Sequence, residues 1–269
     1  MKTNLLNSKQ LVVEILTRAV LLLLYFIVDF VEPFRRKIQP EEEWLYKFPR
    51  TESYVTTTSL WVIVFTFPVV VILTVYLYIK DKGDLIQATL GLSLALCLNG
   101  IITNVIKVSV GRPRPDFFFR CFPDGVGSLS RPCTGPDRDV VEGLKSFPSG
   151  HSSFSFTSLG FTALYLFGKL GTFQTNKRQQ AWRLVLPASL LLWAVTVAVS
   201  RTCDYHHHWQ DVLAGSLLGL SVAFLCYRQY YPSLVHLYCD KPYTQLPCGL
   251  QSATGWVHSK DQDPSVKWI

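Results

Sequence analysis

Six long apolar stretches constrain this chain more than any other feature of its sequence. They run roughly over residues 11–30, 55–79, 85–106, 152–170, 182–200 and 209–230. A helix needs about 20 mostly apolar residues to cross the hydrocarbon core of a bilayer. Only 17% of the 269 residues are charged, whereas soluble domains carry about a quarter. The pattern predicts an all-α, polytopic membrane bundle of six transmembrane helices.

The first stretch is the least apolar of the six, because Glu14, Arg18 and Asp29 fall inside it. Glu14 and Arg18 are four residues apart, so they can pair on one face of a helix. We favour that pairing over a functional site within the membrane. No small-residue cleavage site follows the stretch, so we expect an uncleaved first helix and not a signal peptide.

The parity of six spans sorts the connecting segments onto two sides of the membrane. Segments 31–54, 107–151 and 201–208 share one side, and both termini share the other. Positive charge around the short connections weakly favours cytosolic termini. Segment 32–50 mixes aromatic and charged residues, which suits an interfacial segment or an ordinary loop equally. We expect the membrane unit to cover residues 1–238 and the polar tail, 239–269, to be mostly disordered.

The net charge of +7 does not indicate a nucleic-acid partner. The sequence has no basic stripe with interleaved aromatic residues, and many basic residues flank apolar runs, where juxtamembrane charge is expected. Seven cysteines include no CxxC pair, which argues against structural zinc. The run His206-His207-His208 is also a poor metal site, because consecutive helical residues point about 100° apart. We therefore expect neither a metal nor another cofactor.

Three polar clusters lie on the side shared by segments 31–54, 107–151 and 201–208, so an active site is expected at that membrane face. Their sequences are Lys107-Val-Ser-Val-Gly-Arg-Pro-Arg114-Pro, Lys145-Ser-Phe-Pro-Ser149-Gly150-His151 and Ser200-Arg201-Thr-Cys-Asp-Tyr-His-His207-His-Trp-Gln-Asp211. Lysine and arginine side chains bind phosphate oxygens. A helix that begins at Ser149 and Gly150 would add free backbone N–H groups, which also attract anions.

The histidines of these clusters complete a reaction centre. His207 and Asp211 are four residues apart, so a helix would place them on one face, where the carboxylate can fix the imidazole tautomer. His207 could then act as a nucleophile, and His151 as general acid and base. Positive charge from side chains would replace that of a metal ion, which describes metal-free phosphoryl transfer.

The three clusters resemble the Lys-x6-Arg-Pro, Pro-Ser-Gly-His and Ser-Arg-x5-His-x3-Asp motifs of the type 2 phosphatidic acid phosphatases, also called lipid phosphate phosphatases. Bacterial acid phosphatases, glucose-6-phosphatase and vanadium haloperoxidases share the pattern. Segments 38–42, 112–118, 121–125 and 207–211 look like the diacylglycerol pyrophosphate phosphatase-like branch. The resemblance implies His207 as nucleophile, Asp211 as its orienting group, His151 as acid and base, and phosphate binding by Lys107, Arg114, Ser149, Gly150 and Arg201.

Arg112 competes with Arg114 for the role of phosphate ligand. The motif spacing selects Arg114, and we expect Arg112 to be solvated or to contact a lipid headgroup. The loop residues 116–119 are expected either to line a lipid entrance or to pack on the rim of the bundle.

The resemblance implies a magnesium-independent hydrolase that acts on phosphatidate, diacylglycerol pyrophosphate or lysophosphatidate within the bilayer. Two alternatives are an isoprenoid or dolichyl (pyro)phosphate phosphatase and a non-catalytic lipid-binding protein. A haloperoxidase is disfavoured by the six spans. The active site is expected to face the lumen or the exterior, in the endoplasmic reticulum, Golgi or plasma membrane. The sequence selects neither a preferred lipid nor an oligomeric state, and a homo-oligomer is one alternative.

Cys121 and Cys133 lie in one polar loop on the side of the expected active site. Disulfides persist on the luminal or extracellular side of a membrane. We therefore predict that these two cysteines are bonded, with Cys203 as the competing partner.

Overall fold

A computed structural model describes residues 8–174 and 180–246 of the chain. The described part is all-α and contains nine α-helices and no strand. The helices are α1 (Ser8–Asp29), α2 (Thr57–Trp61), α3 (Phe67–Ile79), α4 (Lys82–Val110), α5 (Phe117–Cys121), α6 (Asp137–Gly143), α7 (Gly150–Leu170), α8 (Trp182–Cys203) and α9 (Trp209–Tyr230). A π-helical turn, Val62–Thr66, joins α2 to α3 without a break.

Five helical segments are long and apolar enough to cross a membrane. They are Lys9–Asp29, Thr57–Ile79, Lys82–Val110, Trp182–Cys203 and Trp209–Tyr230. Each corresponds to a predicted span. The remaining predicted span, 152–170, is present as α7, but its composition is less apolar than that of the other five. The count of six crossings therefore stays a prediction.

The lower hydropathy of α7 has a structural cause, because this helix lies between others and packs against α4, α8 and α9. Many of its buried residues carry hydroxyl groups that bond to backbone carbonyls. The Thr157 hydroxyl donates to Gly219 O on α9 at 3.2 Å, and the Ser158 hydroxyl donates to Val64 O in the π-helical turn at 2.6 Å. A helix enclosed by protein does not need the apolar surface that lipid requires.

Two glycines of α9 allow α7 and α9 to approach closely. A Cβ atom at Gly219 would lie 2.3 Å from Ser153 O, and one at Gly215 would lie 2.5 Å from Ser149 O. Small residues at helix crossings have this role in membrane bundles. The contact fixes the start of α7 beside the start of α9.

The predicted pairing of Glu14 with Arg18 is confirmed, with a distance of 2.6 Å between Arg18 Nη1 and Glu14 Oε2. The same guanidinium also donates to Leu90 O at 2.6 Å and to the Tyr230 hydroxyl at 2.9 Å. The charged Arg18 side chain inside the first apolar stretch thus connects α1 to α4 and α9.

A small cap covers one end of the bundle and is built from the 31–54 and 111–149 connections. Its 3-10 helix, Pro40–Tyr46, packs with α5 and α6 around a buried cluster formed by Tyr46, Phe117, Phe118, Cys121, Phe122, Val140 and Leu144. Of the residues expected at a lipid entrance or on the bundle rim, Phe117 and Phe118 are thus buried inside the cap. A disulfide joins Cys121 to Cys133 with an S–S distance of 2.02 Å, and Cys203 is free and exposed.

The first part of the predicted tail, residues 239–246, packs on the bundle. Cys239 is buried, and Tyr243–Gln245 forms a 3-10 turn. The Gln245 side chain donates to Asp81 Oδ1 at 2.8 Å, next to the start of α4. The polar composition of this stretch hid these contacts, because they involve single residues without a period. The rest of the predicted tail, 247–269, lies outside the described residues.

Candidate active site

Five elements bring the three sequence clusters together at one end of the bundle. Lys107 lies in the last turn of α4 and Arg114 follows that helix. Ser149 caps α7, and Gly150 and His151 begin it. Arg201 lies in the last turn of α8, and His207 precedes α9. Lys107, Arg114, Gly150, His151, Arg201 and His207 all line one cavity of about 220 Å³. Ser149 and Asp211 are fully buried. The residues chosen from the sequence therefore converge.

Two arginines of the cavity are held by carboxylates. Arg114 Nη2 lies 2.5 Å from Glu142 Oε1 on α6, and Arg201 Nη2 donates to Asp204 Oδ2. Burial lowers the pKa of Arg114, and the Glu142 charge opposes that effect. Burial disfavours the charged form of Glu142, but Arg114 and Lys107 hold its pKa below the usual value. The ion pair between Arg114 and Glu142 therefore stays charged.

Further donors remain for an anion. The Nε atoms of Arg114 and Arg201 are buried and have no hydrogen-bond partner among the described residues. Ser149 caps α7, with its hydroxyl accepting from Ser152 N at 3.4 Å. A Cβ at Gly150 would touch only the Lys107 side chain, at 3.7 Å. The open first turn of α7 and these guanidinium groups suit a phosphate.

His207 is buried and oriented by three contacts. Its backbone N–H donates to Arg201 O at 3.1 Å. Its Nδ1 lies 3.4 Å from the Ser146 hydroxyl oxygen and 3.8 Å from Asp211 Oδ2. The Ser146 hydroxyl donates to the same Asp211 oxygen at 2.6 Å. Ser146 therefore lies between the two residues that were predicted to bond directly, and Nε2 is the ring atom left for the cavity.

Arg112 has a different place from the one predicted. Instead of being solvated or touching a headgroup, its Nη1 pairs with Asp211 Oδ1 at 2.6 Å. His208 N also donates to Asp211 Oδ2, at 3.1 Å. Motif spacing selected Arg114 as the phosphate ligand. It could not show that Arg112, in the loop after α4, binds the second carboxylate oxygen of Asp211.

Ser146, Glu142 and Lys145 are the site residues that sequence reasoning missed. Ser146 and Lys145 stand inside the second cluster, just before Ser149. Their place within a polar cluster already selected from the sequence was the available signal. Glu142 gave none, because only the folding of α6 over the cavity brings it to Arg114.

The electrostatic surroundings keep the His207 imidazole neutral. Burial lowers the pKa of His207 well below its usual value. The contact with Asp211 opposes this shift, while the positive charges of Arg114 and Lys107 add to it. A neutral ring with Nδ1 facing Ser146 and Asp211 retains a lone pair on Nε2 when Nδ1 carries the proton. That lone pair is what a nucleophile needs.

His151, which also lines the cavity, is oriented by a backbone carbonyl. Its Nε2 lies 3.1 Å from Val55 O, before the start of α2. A carbonyl oxygen only accepts hydrogen bonds, so this nitrogen carries a proton. Nδ1 is then the atom that can exchange a proton with a bound group.

The three consecutive histidines do not converge. His206 Nδ1 contacts Asp204 O at 2.9 Å, and His208 Nδ1 lies 3.3 Å from Asp211 Oδ2. Within residues 8–174 and 180–246, no group of three or more His, Cys, Asp or Glu residues is arranged to hold a metal ion.

Comparisons with known proteins agree with this geometry. Residues 88–234 match the model of the PAP2 superfamily. The chain is 42% identical to lipid phosphate phosphatase 2 of Arabidopsis thaliana, over 79% of this chain and 74% of the relative. It is 32% identical to diacylglycerol pyrophosphate phosphatase 1 of Saccharomyces cerevisiae, over 85% and 82%. No solved structure matches the chain significantly.

Proposed function

The chain belongs to the PAP2 superfamily, and from that membership we propose that it is a lipid phosphate phosphatase with His207 as its nucleophile. The observation that carries the proposal is the convergence of three separate motifs on one cavity, with the buried His207 imidazole in its lining. The relatives named above support the substrate class.

In the first step, Nε2 of His207 attacks phosphorus and the bond from phosphorus to the lipid oxygen breaks. The bonding electrons leave with that oxygen, which takes the Nδ1 proton of His151 in its imidazolium form, while Nε2 keeps its bond to Val55 O. In the second step, His151 removes a proton from water, and the resulting hydroxide attacks phosphorus. The nitrogen–phosphorus bond then breaks, so that inorganic phosphate leaves and His207 is restored.

Charge on the equatorial oxygens is the main electrostatic demand of this reaction. Lys107, Arg114 and Arg201 surround the cavity, and the first turn of α7 adds N–H donors. These groups supply the positive charge that a magnesium ion would otherwise bring, so we propose that turnover is magnesium-independent.

The cavity also has an apolar wall that suits a lipid. Tyr25 on α1, Leu60 and Trp61 on α2, and Phe154 on α7 contribute to its lining. A headgroup could then reach the cations while the acyl chains stay among apolar side chains. Phosphatidate, diacylglycerol pyrophosphate and lysophosphatidate are the proposed substrates.

The proposed topology has six crossings, with α7 as the fourth, and both termini in the cytosol. The site and the cap then face the lumen or the exterior of the endoplasmic reticulum, the Golgi or the plasma membrane. The Cys121–Cys133 bond supports this side, because disulfides persist in oxidising compartments.

The direct test is labelling of the enzyme. Purified protein with EDTA and phosphatidate labelled in its phosphate should form an acid-labile, base-stable phosphoenzyme. His207→Ala should lose the label and about a thousandfold or more in turnover, because a covalent nucleophile is removed. His236→Ala, at a histidine outside the cavity, serves as the matched control.

Two results would contradict the proposal. If His207→Ala retained more than about one percent of wild-type turnover, His207 would not be the nucleophile. Strict dependence of turnover on added magnesium would show that the side-chain cations do not supply the charge that the reaction needs. A panel including isoprenoid phosphates shows which lipid is preferred.

A further inference from the structure

Lys145 lines the same cavity but has no part in the mechanism above. It precedes α7 by five positions, and its backbone carbonyl accepts a hydrogen bond from Lys107 Nζ at 2.7 Å. Its own ammonium reaches toward the end of α1, where it donates to Asp29 O at 3.0 Å. Both lysines thus line the cavity, and each ammonium donates to a backbone carbonyl.

The lysines differ from the cavity arginines in what neutralises them. Arg114 and Arg201 pair with carboxylates, Glu142 and Asp204. Lys107 and Lys145 contact backbone carbonyls and form no ion pair among the described residues. Among the described residues these two ammonium groups therefore lack a direct carboxylate partner, although the Glu142 charge acts on both at longer range. One transferred phosphate is already served by Lys107, the arginines and the α7 start.

The two acids that line the cavity each have a partner other than these lysines, although an amide contact leaves the Asp29 charge in place. Glu142 is bound by Arg114, and the Asp29 carboxylate accepts from the Asn104 side chain at 3.2 Å. Asn104 also lines the cavity, beside Tyr25 and the apolar wall. The space near Lys145 therefore suits a second anionic group attached to the lipid.

We propose that Lys145 forms a second phosphate subsite, which binds the phosphate that stays on the lipid when a diphosphate lipid is hydrolysed. The inference rests on the proposed function, because the subsite acts on the same reaction. Nε2 of His207 attacks the terminal phosphorus, and the bond to the bridging oxygen breaks. The electrons stay on the phosphate next to the lipid, and Lys145 neutralises the charge that develops there. Water then releases inorganic phosphate from His207, leaving the lipid monophosphate.

The test compares two substrates that differ by one phosphate. Diacylglycerol pyrophosphate and phosphatidate with the same acyl chains are assayed in the same detergent micelles. Lys145→Met should lower kcat/KM for the diphosphate lipid about tenfold or more relative to phosphatidate, because a charge-assisted contact is lost. Lys145→Arg should retain the wild-type ratio. Lys37→Met, at an exposed lysine outside the cavity, controls for loss of surface charge.

Inorganic anions give a second readout without a lipid. In Lys145→Met, the inhibition constant of pyrophosphate against phosphatidate hydrolysis should rise about tenfold, while that of phosphate changes little. If the methionine variant does not fold, Lys145→Gln replaces it, and a cooperative thermal unfolding transition in detergent is the measure of folding.

The possible failures are distinct. An unchanged substrate ratio in the neutral variants, or a wild-type enzyme that hydrolyses phosphatidate but not the diphosphate lipid, overturns the subsite alone. A wild-type enzyme that hydrolyses neither lipid overturns the proposed function itself.

Discussion

Ser146 lies between His207 and Asp211, with its hydroxyl donating to the carboxylate at 2.6 Å. In Ser146→Ala, Asp211 keeps Arg112 but loses the group that connects it to the imidazole. We expect kcat to fall about tenfold or more with little change in KM, because the phosphate ligands remain. Ser130→Ala, at an exposed serine of the same loop, should behave as wild type. A rise in KM with unchanged kcat would assign Ser146 to substrate binding instead.

The lowered pKa of His207 also predicts how stability depends on pH. Between the folded pKa and the ordinary value near 6.5, the unfolded chain binds a proton at this histidine and the folded protein does not. Stability therefore falls as pH decreases through that window. Thermal unfolding at about pH 7.5 and about pH 5.5 should show a larger loss for wild type than for His207→Gln. Equal losses would show that His207 titrates normally.

At the residue scale, the sequence indicates the groups that carry chemistry better than the groups that support them. His207 and Arg114, the proposed nucleophile and phosphate ligand, stand in motifs that the sequence shows directly. Arg112 and Glu142 find their partners only through the folded loop between α4 and α7. No periodicity encodes those contacts.

At the element scale, the crossing of α7 and α9 depends on glycine. A Cβ at Gly219 would meet Ser153 O at 2.3 Å, whereas one at Gly160, in the same interface, would meet only side-chain carbons from 3.4 Å. Gly219→Ala should thus lower the free energy of unfolding by about 1–3 kcal/mol through overpacking, and Gly160→Ala should leave it nearly unchanged. Thermal unfolding in detergent measures both. Equal effects would contradict the close approach described here.

Local turn chemistry sets the ends of α4, which the apolar pattern alone placed at residues 85 and 106. Asp81 caps α4 by accepting from Gly83 N at 2.9 Å, and Gly111, with φ of +56°, ends it. These signals make α4 longer than its apolar stretch, because its polar ends are also helical. The low apolarity of α7 agrees with its position among other helices, and the sequence of α7 alone does not show those neighbours.

At the scale of the whole molecule, the sequence predicts the bundle but not its cap. Long apolar stretches report directly on membrane helices. The cap is assembled from short elements whose apolar residues come from distant segments, Tyr46 and Phe117 among them. Its architecture therefore had to come from the structure, although one of its bonds was predicted.

That bond, between Cys121 and Cys133, tests the orientation of the entire protein. The pair closes a short loop, which entropy models value at about 3 kcal/mol, and it lies in the same cap as Glu142. If the site faces the lumen or the exterior, protein taken directly from membranes should carry this disulfide. Cys203, free and exposed at the same end, should be alkylated and serves as the internal control. Mass spectrometry of non-reduced, alkylated protein measures all three cysteines. Alkylation of Cys121 and Cys133 together would place the cap, and with it the active site, in the reducing cytosol.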